Sequence, residues 1–203
     1  MKKGMKALLI AVSAILLVAV SVSLTVAYFT SQADVKNTFT VGKVDISLYE
    51  EGAEYDNGVY GQTYENIIPG GSYNKAPTVT VEKGSVESYV RMMVNVVFEN
   101  AMDEAQLGDS LDGIFSGVDA KWTLAGKTVS ADNTSVVYEY RYNSTVEALD
   151  EAVELEALFT EIVIPGEWEE ADLNGFNNMQ INVEGHAIQA FGFADANEAW
   201  ANF

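Results

Sequence analysis

The chain has 203 residues and no cysteine, and its 30 acidic residues against 11 basic ones give a formal net charge of −19. A surface this acidic argues against nucleic acid and anionic lipid as partners, because both are themselves negative. The length fits one domain of ordinary size, and without cysteine its stability must come from burial rather than from disulfides. The many Val, Thr and Tyr residues favour β structure.

The first 27 residues have the composition of an export signal. Three lysines lie within the first six residues, an uncharged apolar stretch covers residues 7–26, and the small residue Ala27 follows. This pattern predicts a helical secretory signal peptide, residues 1–27, that is cleaved between Ala27 and Tyr28. The apolar stretch, at about 20 residues, is also long enough to span a bilayer, so a retained membrane anchor is the alternative. The protein is therefore expected to be secreted or to stay at the cell surface.

The next segment, residues 28–41, is predicted to be extended. Phe39 and Val41 alternate with threonine and glycine, and the alternation resumes one residue out of phase after Lys43. Such a slip indicates a β-bulge. An extended, partly apolar segment at the start of a mature chain either folds into its own sheet or is lent to a neighbour.

Alternating apolar residues farther along predict an all-β domain over residues 28–203. The strongest pattern lies between residues 88 and 99, where both faces are largely apolar, which is typical of a central strand. Arg91 interrupts this strand and must either face solvent or find a carboxylate or carbonyl partner. Several short strands, separated by turns and without a βαβ rhythm, predict a jelly-roll-like antiparallel β-sandwich with short helical insertions.

The remaining segments are predicted as helices, turns and loops. Residues 144–159 carry apolar side chains at roughly helical spacing, which predicts a helix. Residues 195–200 predict a short terminal helix, because Asp195 and Glu198 are spaced as a capping box. Residues 126–127 are expected to form a hairpin turn, and the Gly-, Asn- and Tyr-rich stretch after residue 50 a loop, with a short hairpin as an option.

Several motifs carry a resemblance to a known family. The sequence AYFT at residues 27–30 and the sequence NTFTVGKVDI at residues 37–46 resemble the opening of the TasA/camelysin family of biofilm-matrix fibre proteins of Gram-positive bacteria. Shorter matches occur at residues 68–70, 158–165 and 187–190. The resemblance implies export through a dedicated endoplasmic-reticulum-type signal peptidase, a jelly-roll fold, and fibres in which the N-terminal strand of one subunit enters a groove of the next.

Residues 28–41 are the candidate donor strand on this hypothesis. Burial of an apolar side chain yields about 1.5–3 kcal/mol, whereas ordering the backbone costs roughly 1–2 kcal/mol per residue, so assembly requires a preformed groove. The alternative is that residues 28–41 form the first strand of a monomer. The expected partners are copies of the chain itself, an anchoring or assembly protein of the matrix, and signal peptidase during export. The donor side chains are Tyr28, Phe29, Val35, Phe39 and Val41.

Enzymatic functions have little support in the sequence. A catalytic zinc site needs three protein ligands, usually including two histidines, whereas the chain has only His186. A camelysin-like cell-surface metalloendopeptidase, with His186, Glu184 and remote carboxylates as ligands, is the enzymatic alternative. No serine has the glycines of a nucleophile elbow around it, and nothing singles out a catalytic pair among the carboxylates. The sequence therefore predicts a structural protein without catalytic residues.

Two further groups of residues suggest ligands. Four acidic residues share one loop and are weak candidates for calcium, which prefers oxygen ligands, although their spacing is not that of an EF-hand and a solvated loop is the alternative. Three tryptophans would form a sugar-binding platform in a monomeric adhesin or carbohydrate-binding module, with core packing as the alternative. The acidic residues are Asp103, Glu104, Asp109 and Asp112, and the tryptophans are Trp122, Trp168 and Trp200.

Overall fold

The computed structural model describes residues 43–56, 59–104, 106–169, 173, 176 and 178–203. These residues belong to one unit of the chain, residues 41–203. The predicted signal peptide, the cleavage site at Ala27 and Tyr28, the donor segment 28–41 and the start of the predicted bulge lie outside the described residues. In the described part, no helix is long and apolar enough to cross a bilayer.

The described chain is mostly antiparallel β structure with few short helices, which confirms the all-β prediction. Apart from the strands there is a short π-helical turn, Gln106–Ser110, and a terminal helix α1, Ala196–Ala201. The strands are β1 (Ile46–Tyr49), β2 (Glu54–Asp56), β3 (Val59–Tyr64), β4 (Ser72–Asn74), β5 (Thr78–Val81), β6 (Ser85–Val97), β7 (Phe115–Ser116), β8 (Trp122–Val129), β9 (Ser135–Tyr142), β10 (Val146–Ala148), β11 (Val153–Glu154), β12 (Glu161–Val163) and β13 (Met179–Gln189).

The largest sheet has the strand order β2-β3-β13-β6-β9-β8, with β10 paired to the start of β6. Strands β6 and β13 form its central ladder, from the pair of Gln180 and Val97 to the pair of Gln189 and Ser88. Alternate side chains of β6 are fully buried, because each points to the same face of the sheet. The prediction of a central strand at residues 88–99 is therefore confirmed.

Two three-stranded sheets, β1-β5-β11 and β4-β12-β7, accompany the large one. Strand β1 lies against β13 and β3 of the large sheet. A single hydrophobic core takes residues from all three sheets, so burial joins them into one structure. Its fully buried members include Val79, Val81, Met92, Val94, Phe159, Ile162, Ile181 and Val183.

The predicted helix at residues 144–159 is wrong. This segment contains β10 and β11 instead, because Val146 pairs with Ser88 of β6 and Val153 pairs with Val81 of β5. These long-range pairings override local periodicity, and Leu149, one of the apolar side chains that suggested helical spacing, is 52% exposed.

The predicted hairpin turn at residues 126–127 is also wrong. Both residues lie inside the continuous strand β8, where the register against β9 shifts between Leu124 and Gly126. The glycine thus marks a bulge within a strand and not a chain reversal.

The terminal helix was predicted correctly. Asp195 is its N-cap, and its Oδ1 accepts a hydrogen bond from the backbone N of Glu198 at 2.9 Å. The Glu198 carboxylate accepts from the backbone N of Ala194 at 2.6 Å, one residue before the position that a capping box would use.

Candidate functional site

Among the described residues, the edge of β1 that faces away from β5 is open. The backbone N of Glu82 donates to Asp45 O at 2.8 Å, so the odd-numbered residues of β1 exchange hydrogen bonds with β5. The N–H and C=O groups of Ile46 and Leu48 therefore point to the other side, where no strand among the described residues pairs with β1. These groups form a short template for another strand.

The hairpin of β2 and β3 continues the large sheet beyond this open edge. Tyr60 pairs with Val183, whose side chain is fully buried, so the Tyr60 side chain lies on the inner face of the sheet. Tyr55 pairs with Tyr60 and lies on the same face, yet it is 65% exposed. An inward-facing tyrosine is this exposed because the small sheet ends at β1 and does not extend over the hairpin.

A cavity of about 320 Å³ lies between the open edge and the hairpin. Its lining combines aliphatic and aromatic side chains, and among the described residues no charged side chain contributes to it. The ring centroids of Tyr55 and Tyr60 are 4.8 Å apart, and Tyr49, which is 62% exposed, lies 6.5 Å from Tyr60. The site suits apolar side chains and backbone hydrogen bonds. The lining residues are Ile46, Ser47, Leu48, Tyr55, Tyr60 and Gly185.

Gly185 of β13 forms the floor of this cavity and sets the spacing between the sheets. A Cβ atom at this position would lie 3.2 Å from Cγ2 of Val79 on β5 and 3.5 Å from Cδ1 of Ile46. The glycine therefore allows β1 and β5 to approach β13 closely. The cavity lies beside this contact, at the edge of the core.

The predicted donor residues, Tyr28, Phe29, Val35, Phe39 and Val41, lie outside the described part of the chain, so the structure does not bring them to the cavity or place them elsewhere. The residues that line this cavity were missed by the sequence analysis. Tyr55 and Tyr60 lie in a Gly- and Tyr-rich stretch. The composition of this stretch does not distinguish a tyrosine in a loop from a tyrosine on the uncovered inner face of a sheet.

The calcium candidates have protein partners. Oδ1 of Asp112 accepts hydrogen bonds from Lys127 Nζ and Tyr138 Oη, each at 2.6 Å, and Oδ1 of Asp103 accepts from the backbone N of Gln106 at 2.8 Å. Burial and the hydrogen bond to Asp112 raise the pKa of Tyr138. Among the residues that the structure describes, no group of three or more His, Cys, Asp or Glu side chains is placed to hold a metal ion. Calcium binding therefore stays a prediction.

His186, the histidine of the predicted zinc alternative, is engaged by protein groups on both ring nitrogens. Its Nδ1 accepts from Arg91 Nε at 3.2 Å, and its Nε2 lies 3.4 Å from Glu184 Oε2. Burial first, and then the charge of Arg91, lower the pKa of His186 below its ordinary value. Arg91 also lies 3.4 Å from Glu139 Oε1, so it has the carboxylate partner that its half-buried position requires.

The three tryptophans are buried and do not form an exposed platform. Trp122 Nε1 donates to Glu156 O at 2.9 Å, and Trp168 packs on Phe176 with ring centroids 4.7 Å apart. Trp200 of α1 lies over the guanidinium group of Arg91. Core packing, the alternative in the sequence analysis, is the correct interpretation of Trp122 and Trp168.

Comparison of the chain with protein-family models, with curated proteins and with solved structures yields no match. The resemblance to the TasA/camelysin family therefore stays a prediction from the residues that carry it.

Proposed function

We propose that this protein is an exported, non-enzymatic structural protein of the extracellular matrix that assembles by strand addition. In this proposal an extended segment of one copy joins the open edge of β1 in another copy and completes a jelly-roll-like β-sandwich. The observation that supports it most directly is Tyr55, an inward-facing side chain left 65% exposed beside an unpaired strand edge.

Backbone hydrogen bonds supply the first part of the affinity. Ile46 and Leu48 together offer two N–H and two C=O groups on the open side of β1. Each hydrogen bond made by an added strand contributes about 0.5–1.5 kcal/mol. Addition of a strand to an exposed sheet edge is a general mode of recognition between chains.

Apolar side chains supply the second part. The proposed occupant of the cavity is residues 28–41 of another copy. Phe29, Val35, Phe39 and Val41 are all odd-numbered and therefore lie on one face of an extended strand. That face would cover Tyr55 and Tyr60, and each buried apolar side chain would contribute about 1.5–3 kcal/mol. Release of the signal peptide would free this segment, so export and assembly would be linked.

The test compares four forms of the processed protein, residues 28–203, by size-exclusion chromatography and negative-stain microscopy. They are the wild type, a form that lacks residues 28–41, Tyr55→Lys in the cavity, and Leu124→Lys on β8 at the far edge of the same sheet. Leu124 is 47% exposed and serves as the matched control. Wild type and Leu124→Lys are expected to form fibres, whereas the shortened form and Tyr55→Lys are expected to stay monomeric, because an inward-pointing charge blocks strand addition.

Three outcomes would overturn the proposal. The wild type could stay monomeric when concentrated, which would favour a monomer that keeps residues 28–41 in its own sheet. The shortened form could assemble as well as the wild type, which would remove the donor segment from the mechanism. Tyr55→Lys could assemble while Leu124→Lys fails, which would place the contact at the other edge of the sheet.

A further inference from the structure

A lysine and a glutamate contact each other in the interior of the protein. Glu50 directly follows β1, and Lys75 directly follows β4. Lys75 Nζ donates to Glu50 Oε1, and neither side chain has any exposed surface. The second carboxyl oxygen, Oε2, is buried without a hydrogen-bond partner among the described residues.

This environment disfavours the charged forms of both groups. Burial raises the pKa of Glu50 and lowers the pKa of Lys75, while the attraction between the two groups acts in the opposite direction. Transfer of one proton from Nζ to the carboxylate converts the ion pair into a neutral amine beside a neutral carboxylic acid. The phenol of Tyr64, also buried, stays protonated nearby, since burial and the charge of Glu50 raise its pKa.

We propose that Glu50 and Lys75 form an intramolecular isopeptide bond. The neutral amine of Lys75 attacks Cδ of the protonated Glu50 carboxyl group, and a C–N bond forms. The C–O bond to the hydroxyl group breaks, the hydroxyl takes a proton from the nitrogen, and one water molecule leaves. The remaining carboxyl oxygen becomes the amide carbonyl, so the step balances without any oxidant, reductant or other reagent.

The arrangement supplies what this reaction needs. A lysine removed from water is a nucleophile, because its amine is no longer held in the protonated form. The nucleophile and the carboxyl group are held in contact by the fold, which replaces a collision between two molecules with a reaction inside one. The product also removes two buried charges at once.

The bond would connect two sheets of the fold. Glu50 ends the β1 segment, whereas Lys75 is anchored through its backbone N to Thr160 O at 3.0 Å, next to β12. A chain without cysteine has no disulfide to provide such a link. The crosslink would carry tension from β1 into the rest of the domain, and its formation does not depend on strand addition between copies.

Peptide mapping of the folded, purified full chain tests the proposal. Trypsin cleaves after lysine only when the amine is free. Lys43, Lys75 and Lys83 are successive basic residues, so an unreacted chain gives the fragment 44–75. The reacted chain is expected to give the single fragment 44–83, lighter than its sequence by one water molecule, with complete loss of cleavage after Lys75. A second protease that cuts between Glu50 and Lys75 should then leave two peptides joined through these residues.

A Lys75→Arg variant is the control, since its guanidinium group cannot form this amide and its fragment 44–75 should appear at full mass. Wild-type protein that gives the fragment 44–75 at full mass would overturn the proposal whether or not the variant folds. Fibre formation is measured separately, so failure of the crosslink and failure of strand addition are distinguishable.

Discussion

Arg91 on β6 and His186 on β13 are paired directly across the central ladder, and Arg91 Nε donates to His186 Nδ1 at 3.2 Å. The imidazole accepts at Nδ1 and is therefore unprotonated there in the native state. The end of the chain covers this pair, since the guanidinium carbon lies 4.3 Å from the Trp200 ring centroid and the Phe203 ring stacks on His186 at 4.9 Å. The packing of the terminal helix on the sheet thus involves one neutral histidine.

Protonation of His186 is expected to destabilise the protein. Burial and Arg91 lower its folded-state pKa below 6.5, although Glu184 and Glu139 act against this shift. The unfolded chain then binds the proton more readily than the folded one. The contribution of neutral His186 to the free energy of unfolding is therefore fully present above about pH 6.5, and it is lost as the pH is lowered through the folded-state pKa.

Thermal unfolding midpoints between about pH 5 and pH 8 measure this effect. His186 is the only histidine in the sequence, so a His186→Gln variant should remove this part of the pH dependence. A variant that keeps the wild-type slope over that range would contradict the assignment to His186.

Substitution of Gly185 is expected to separate the small sheet from the large one. The added Cβ atom of Gly185→Ala would lie 3.2 Å from Val79 Cγ2 and 3.5 Å from Ile46 Cδ1, so one of these neighbours must move. We expect a loss of about 1–3 kcal/mol in the free energy of unfolding, measured with denaturant. Gly126→Ala on β8 is the matched control, since its Cβ would come no nearer than 3.8 Å to Glu139, and it should change stability by less than about 0.5 kcal/mol. Equal losses in the two variants would show that the sheet spacing is not responsible.

Removal of the N-cap of α1 is expected to loosen the terminal helix. Asp195→Ala loses the hydrogen bond from the backbone N of Glu198 and should cost about 1 kcal/mol. Asp195→Asn keeps an acceptor and should retain most of the stability. Tryptophan fluorescence during denaturant unfolding, to which Trp122, Trp168 and Trp200 all contribute, measures this loss of stability. Full stability in Asp195→Ala would mean that packing of Trp200 alone holds the helix in place.

The local sequence pattern was sufficient to predict the elements in which buried and exposed side chains follow the alternation of apolar residues along the chain. In β6, the buried side chains of Val90, Met92, Val94 and Val96 follow one another at every second position, and only an inner sheet strand explains apolar residues on both faces. The cap of α1 was predictable for a similar reason, because the Asp195 side chain accepts a hydrogen bond from the backbone N of Glu198, three residues farther along the chain. These features depend on neighbours along the chain.

Pairing between distant segments determined the features that the local pattern did not predict. Val146 lies in a strand because Ser88 of β6 lies opposite it, and nothing within residues 144–159 encodes that neighbour. Tyr55 faces an open cavity only because the small sheet stops at β1, and Glu50 contacts Lys75 although the two are 25 positions apart in the sequence. The alternation of a strand determines which side chains share a face, whereas the stacking of sheets determines which of those faces is covered. The open edge and the buried pair both arise from that stacking, so they became visible only in the folded protein.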